Sequence, residues 1–144
     1  MLELEPNGPA KAATDRPDAA VPKQGGLIEL YHPQGEAACL VLCDHAGRRI
    51  PRRLDRLGLP EQELCRHIGW DIGAADVTRA LAALLDAPAV LCHSSRLMID
   101  PNRKPGDPSS IPEIADGTFV PGNQSLDAAE ARRRLERYFI PYHR

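Results

Sequence analysis

Ala38-Cys39-Leu40-Val41-Leu42-Cys43-Asp44-His45-Ala46-Gly47 is the stretch whose reading decides the fold. A continuous aliphatic run that stops at Asp44 and His45 and is followed by a glycine reads as a strand buried on both faces. Open α/β sheets bind ligands in the crevice beyond the carboxyl ends of their strands. A histidine at such an end can hold a metal or carry a proton; the plain alternative is an imidazole hydrogen-bonded in a loop.

Working outward, Gly47 to Pro51 reads as a loop, and Arg52 to Leu59 as helical up to Gly58. Pro60-Glu61-Gln62-Glu63 suits a helix first turn, with proline at the start and acids near the positive end of the dipole. Asp71 can cap the next helix, whose Val77, Leu81, Leu84 and Leu85 form an apolar stripe expected to pack on a sheet. Ala89 to Cys92 then reads as a second buried strand, and strand, helix and strand in this order predict a right-handed parallel crossover. Upstream, Leu27 to Tyr31 suits a short edge strand closed by His32-Pro33, with His32 in solvent. The expected class is α/β, a mostly parallel sheet flanked by helices.

Ser94 to Arg103 supplies the second group of polar residues. Leu97-Met98-Ile99 suggests a third strand, flanked by Arg96 on one side and by Asp100-Pro101-Asn102-Arg103 on the other. Arginines match carboxylates bidentately, so Arg96, Asn102 and Arg103 can form a carboxylate clamp. An Arg96–Asp100 ion pair with Asn102 in an Asx-turn is the competing account. Lys104 to Asn123 reads as a long loop closing in a Pro121-Gly122-Asn123 turn. Asp127 and Glu130 then form a capping box, with Ala128, Ala131, Leu135, Tyr138 and Phe139 on one helix face and Arg132, Arg133, Arg134 and Arg137 on a solvated side.

The 144 residues carry a formal net charge of -2, with 42% hydrophobic and 26% charged residues, which describes one globular domain. Residues 1–26, rich in Pro, Ala, Asp, Lys and Gly, read as a flexible tail ahead of residues 27–144. The charge gives no argument for nucleic acid or an anionic membrane, and no apolar run approaches the ~20 residues of a spanning helix. A cytoplasmic location is the resulting expectation. The four cysteines, Cys39, Cys43, Cys65 and Cys92, lack CxxC spacing and are expected as buried free thiols. Cys43 and His45 would share a strand face, which leaves a thiol–imidazole pair open.

Taken in order, Asp44-His45-Ala46-Gly47 with Ile50-Pro51, Leu57-Gly58-Leu59, His67-Ile68-Gly69-Trp70-Asp71-Ile72-Gly73-Ala74, Ser95-Arg96-Leu97-Met98-Ile99-Asp100 with Asn102-Arg103, Pro121-Gly122-Asn123 and Pro141-Tyr142-His143 resemble the N-formylglutamate amidohydrolase family. The resemblance implies a zinc-exopeptidase-like (phosphorylase/hydrolase-like) α/β fold. It also implies hydrolysis of an N-acyl amide of an acidic amino acid, N-formyl-L-glutamate to formate and L-glutamate, a step of amino-acid catabolism. It further implies a later segment bearing a His-Ser-Phe-Thr-Pro-like motif, so residues 27–144 are expected to be the amino-terminal part of an incomplete domain.

A formamide is a poor electrophile and water a poor nucleophile, and one zinc ion addresses both. His45 is the first expected ligand, and Asp71 or Asp44 the carboxylate, with Asp71 as a mere helix cap the alternative; the third ligand is expected from the later segment. Arg96, Asn102 and Arg103 would neutralise substrate carboxylates, because an unpaired buried anion is costly. The Asn-Arg pair is similar to one that zinc carboxypeptidases use for a substrate carboxylate. His67 and His143 are either accessory contacts or packed and surface histidines, and Trp70 is expected in the core. Two other readings remain open, a Cys43–His45 thiol hydrolase and a non-catalytic module, or inactive fragment, that binds acidic amino acids.

Overall fold

The structure, a computed structural model, describes residues 26–144. The tail expected over residues 1–26 therefore lies, but for its last residue, outside the described residues. The ordered chain runs through β1 (Ile28–Tyr31), β2 (Val41–Cys43), a 3-10 segment Arg52–Gly58, α1 (Glu61–Leu64), α2 (Ala74–Leu85) and β3 (Ala89–Cys92). A hairpin of β4 (Ile114–Ala115) and β5 (Thr118–Phe119) follows, then a 3-10 turn Pro121–Asn123, α3 (Ala128–Arg134) and its continuation through Leu135–Phe139 to a last turn at Ile140–Tyr142.

β3 is the central strand of the sheet, in the order β1-β3-β2. The β2–α2–β3 crossover is parallel as expected, with Leu42 beside Val90, but β1 runs antiparallel to β3, with Leu30 beside the same Val90. The α/β content stands, and the sheet is mixed rather than mostly parallel. Because side chains alternate across a strand, Leu30, Val90 and Leu42 form one row, and Glu29, Leu91 and Cys43 point to the opposite face.

Helix α2 covers only that second face, which corrects two expectations. β2 is not buried on both sides, since Leu42 is 59% exposed. The face of α2 against the sheet is Ala75, Thr78 and Ala82, whereas Val77, Leu81, Leu84 and Leu85 are exposed. Small side chains let helix and sheet approach closely, and Ala82 and Ala89 meet in one buried cluster with Cys43, Ala46, Ala75 and Leu91. Glu29 of β1 reaches the same helix and accepts two hydrogen bonds from Arg79, at 2.9 and 2.8 Å.

A second core cluster, built on Leu57, Leu59, Leu64, Ile68, Leu97, Met98 and Val120, holds the loops at the carboxyl end of the sheet. Leu97-Met98-Ile99, expected as a strand, is a buried turn here. The carbonyls of Leu97 and Met98 are met by the side chains of Asn123 and Arg134 instead of a neighbouring strand. The long loop after Lys104 contains the β4–β5 hairpin, whose Asp116-Gly117 pair, at φ 45° and 74°, makes the left-handed two-residue turn that matches strand twist. Asp127 caps α3, accepting from the Glu130 N–H at 2.6 Å. Arg134 of that helix, expected in solvent, is 1% exposed.

Smaller corrections follow the same logic. Cys43 and Cys92 are buried thiols, but Cys39 and Cys65 are exposed. His32, expected to be solvated, is 2.6 Å from Asp86, the left-handed residue that ends α2. Among the described residues no helix is long and apolar enough to cross a membrane.

Candidate active site

His45 leaves β2 and is drawn beneath β3 by the Ala46 N–H, which donates to the Cys92 carbonyl at 2.9 Å. Gly47 is required next, because a Cβ there would stand 2.9 Å from both His93 Nδ1 and the His93 carbonyl oxygen. The carbonyl of His45 accepts from the Asp71 N–H at 3.0 Å, so the His67–Asp71 turn is stitched to the end of β2. The side chain of Asp71 caps nothing. Gly73 occupies the cap position of α2, and Asp71 contributes only its carbonyl to the Ala74 N–H.

The Asp71 carboxylate instead lies between two site residues. Its Oδ2 is 3.2 Å from His45 Nδ1, and its Oδ1 accepts from Arg96 Nη2. On the other side of the imidazole, His45 Nε2 is 2.7 Å from Oδ1 of Asp100. Asp100 Oδ1 also accepts from the Asn102 N–H at 2.8 Å, and Arg103 Nε stands 4.0 Å from Oδ2. His45, Asp71, Arg96, Asn102 and Arg103 thus share one cluster, although Asn102 enters through its backbone and both it and Arg103 are exposed. The Arg96–Asp100 ion pair is replaced by Arg96–Asp71 and His45–Asp100. Arg96 Nε is buried and has no hydrogen-bond partner among the described residues.

Asp100 is a site residue that sequence reasoning considered only as an alternative ion-pair partner of Arg96. Burial raises its carboxyl pKa, but hydrogen bonds from His45 and the Asn102 N–H, with the charges of His45 and Arg96, bring it below the usual aspartate value. Burial and the nearby Arg103 lower the pKa of Arg96, against the opposing effect of Asp100. Asp44, the other candidate carboxylate, accepts instead from the Tyr142 hydroxyl at 2.8 Å. Burial, then Asp44, push that phenol well above its ordinary range. His143 is bonded to the Pro101 carbonyl at 3.0 Å, whereas His67 is exposed and 3.4 Å from Asp116. Trp70 is half-buried, donating to the Cys65 carbonyl at 3.4 Å.

The donor set can be tested for a metal. A neutral imidazole has one N–H, and both nitrogens of His45 face carboxylates, which only accept. One of the two contacts therefore calls for a positive species, a second proton or a metal ion. Two donors of one tetrahedral zinc, each roughly 2.0–2.2 Å from it, stand about 3.3 Å apart. The 3.2 Å between His45 Nδ1 and Asp71 Oδ2 fits that separation. Asp100 then takes the Nε2–H, the usual carboxylate partner of a metal-bound histidine. Among the described residues no group of three or more His, Cys, Asp or Glu is arranged to hold a metal.

Comparison with known proteins bears on the family. No curated protein matches the chain. The crystal structure of a gene product from Agrobacterium tumefaciens is similar, with a TM-score of 0.80 and 34% sequence identity over 83% of this chain. The match spans 48% of that protein, so the chain corresponds to about half of its length. The family model for N-formylglutamate amidohydrolase matches residues 37–144, three quarters of the sequence and every residue of the cluster around His45. The chain belongs to the N-formylglutamate amidohydrolase family.

Proposed function

We propose that the chain carries the amino-terminal half of the active site of a zinc-dependent amidohydrolase that converts N-formyl-L-glutamate, or a close N-acyl relative, to the free acidic amino acid and formate. The observation that carries this reading is the imidazole of His45 held between Asp71 and Asp100. His45 Nδ1 and Asp71 would hold the zinc, with a further ligand supplied from outside the described residues. Bound zinc polarises the amide carbonyl and lowers the pKa of water, the two changes that a formamide hydrolysis requires.

The remaining work falls to the chain's own side chains. Asp100 fixes the tautomer and plane of His45 by accepting at Nε2. Arg96 orients Asp71 through Nη2 and brings its positive charge to a substrate carboxylate, and the exposed Asn102 and Arg103 stand beside it for the same anion. A buried carboxylate left unpaired is costly, which favours an acidic amino acid over a neutral one at this clamp. The Cys43–His45 thiol reading finds no support in the geometry, because both imidazole nitrogens of His45 face carboxylates.

The test is metal analysis and formate release with N-formyl-L-glutamate, on the full-length form and on its His45→Ala variant. About one zinc per chain and turnover are expected in the first, and neither in the variant. Metal-dependent turnover that survives His45→Ala overturns the assignment. Calorimetry in which glutamate binds but zinc does not would favour a non-catalytic binding module.

A further inference from the structure

We propose that Asn123 and Arg134, which touch neither His45 nor Asp71, are positioning residues that set the spacing between Arg96 and Asp100. The two site residues flank the Leu97-Met98 turn. Arg96 is anchored before it by its N–H on the Gly69 carbonyl at 3.1 Å, and Asp100 after it by its N–H on the Ser110 carbonyl at 2.7 Å. Between those anchors the carbonyls of Leu97 and Met98 point into the core. Asn123 Nδ2 donates to Leu97 O at 2.8 Å and to Pro112 O at 2.7 Å. Arg134 Nη1 donates to Met98 O at 3.1 Å and to Asn123 Oδ1 at 2.7 Å, and its Nη2 donates to Gly122 O at 3.0 Å.

A guanidinium 1% exposed is an expensive way to fill a core position, and apolar replacements of buried charges are often neutral or stabilising. What an apolar side chain cannot do is hold three oxygen acceptors in one plane at fixed separations, which the rigid fork of arginine does. Asn123, itself 2% exposed, spends both N–H bonds and its oxygen on the same network. The charge of Arg134 is met by Glu130 at 3.2 Å, which leaves the fork free for the carbonyls. A wedge built this way fixes the turn, and the turn fixes how far the guanidinium on Asp71 stands from the carboxylate on His45.

The consequence for metal and substrate binding rests on the proposed function; the geometric claim does not. The experiment compares the full-length form with its variants Asn123→Ser, Arg134→Lys and a control, Ala82→Gly, that loosens the other core cluster. Thermal unfolding, the ¹⁵N signals of the Arg96 Nε–H and the His45 ring, and zinc titration are read on each. Asn123→Ser and Arg134→Lys are expected to shift the Arg96 and His45 signals and to weaken zinc by about tenfold, the lower end of losses for groups outside the ligand set. Ala82→Gly is expected to lower the melting temperature without moving those signals. Arg134→Lys, which keeps the charge and loses the fork, carries the test if Asn123→Ser does not fold. Folded variants with unmoved Arg96 and His45 signals overturn the proposal, as does an equal shift in Ala82→Gly. Signals that move in a protein that never binds zinc uphold the positioning role and sink the metal reading.

Discussion

The imidazole Nε2 of His45 lies 2.7 Å from Oδ1 of Asp100, a residue 55 positions further along the chain, and both side chains are buried. This contact joins the loop after β2 to the turn after β3 and decides which face of the ring looks toward Asp71. Replacing Asp100 with Asn keeps the shape and removes the charge. Zinc affinity is expected to fall 10- to 100-fold, the range seen for partners of metal-bound histidines, with the fold retained. Competitive zinc titration checks the first part and circular dichroism the second.

Arg96 is predicted to act on substrate directly and on metal through Asp71. Arg96→Met removes the guanidinium, and with it both the positive charge offered to substrate and the hydrogen bond that orients Asp71. Loss of one partner of a buried charged pair costs roughly 2–5 kcal/mol, so KM for N-formyl-L-glutamate should rise at least thirtyfold. Zinc affinity should fall as well, because the Asp71 carboxylate loses its partner. Steady-state formate release together with metal analysis separates the two effects.

Glu29 makes the protein acid-sensitive. Its hydrogen bonds to Arg79 hold its carboxyl below the usual glutamate value, against the opposing effect of burial, and His93 at 2.6 Å adds to the lowering. A depressed carboxylate pKa contributes stability that is fully present above the unfolded value, near ~4.3, and is lost as pH falls through the folded one. Melting temperature should therefore drop as the pH falls below that range. Glu29→Gln should flatten this dependence while costing about 1.5–3 kcal/mol at neutral pH, the worth of a hydrogen bond to a charged group. Thermal melts across the acid range check both.

The packing face of α2 is testable by paired substitutions. Ala82→Leu adds volume where helix meets sheet and is expected to destabilise by about 1–3 kcal/mol. Leu84→Ser, at a position 83% exposed, should change stability by no more than about 0.5 kcal/mol. Urea titrations of the two variants distinguish this arrangement from one in which the leucine stripe faces the sheet.

What was legible in the sequence was local. The aliphatic run into Asp44-His45 marks a strand end, Pro60 and Asp127 mark helix starts, and the strand–helix–strand order around α2 yields the parallel β2–β3 pairing. The ordered motifs from Asp44 to His143 carry the family. Periodicity failed on α2 because it reports which face of a helix is apolar. It does not report which face has a neighbour, and here alanines approach the sheet while the leucines stay outside. It failed on Leu97-Met98-Ile99 because a short apolar run is buried equally well as a turn when side chains satisfy its carbonyls. The cluster itself depends on distance in space. That Asp71 serves His45 rather than capping α2, that Asp100 takes the other imidazole nitrogen, and that Arg134 is buried are outcomes of long-range hydrogen bonds. Such pairings are set by the packing of loops from opposite ends of the chain, for which sequence spacing holds no record.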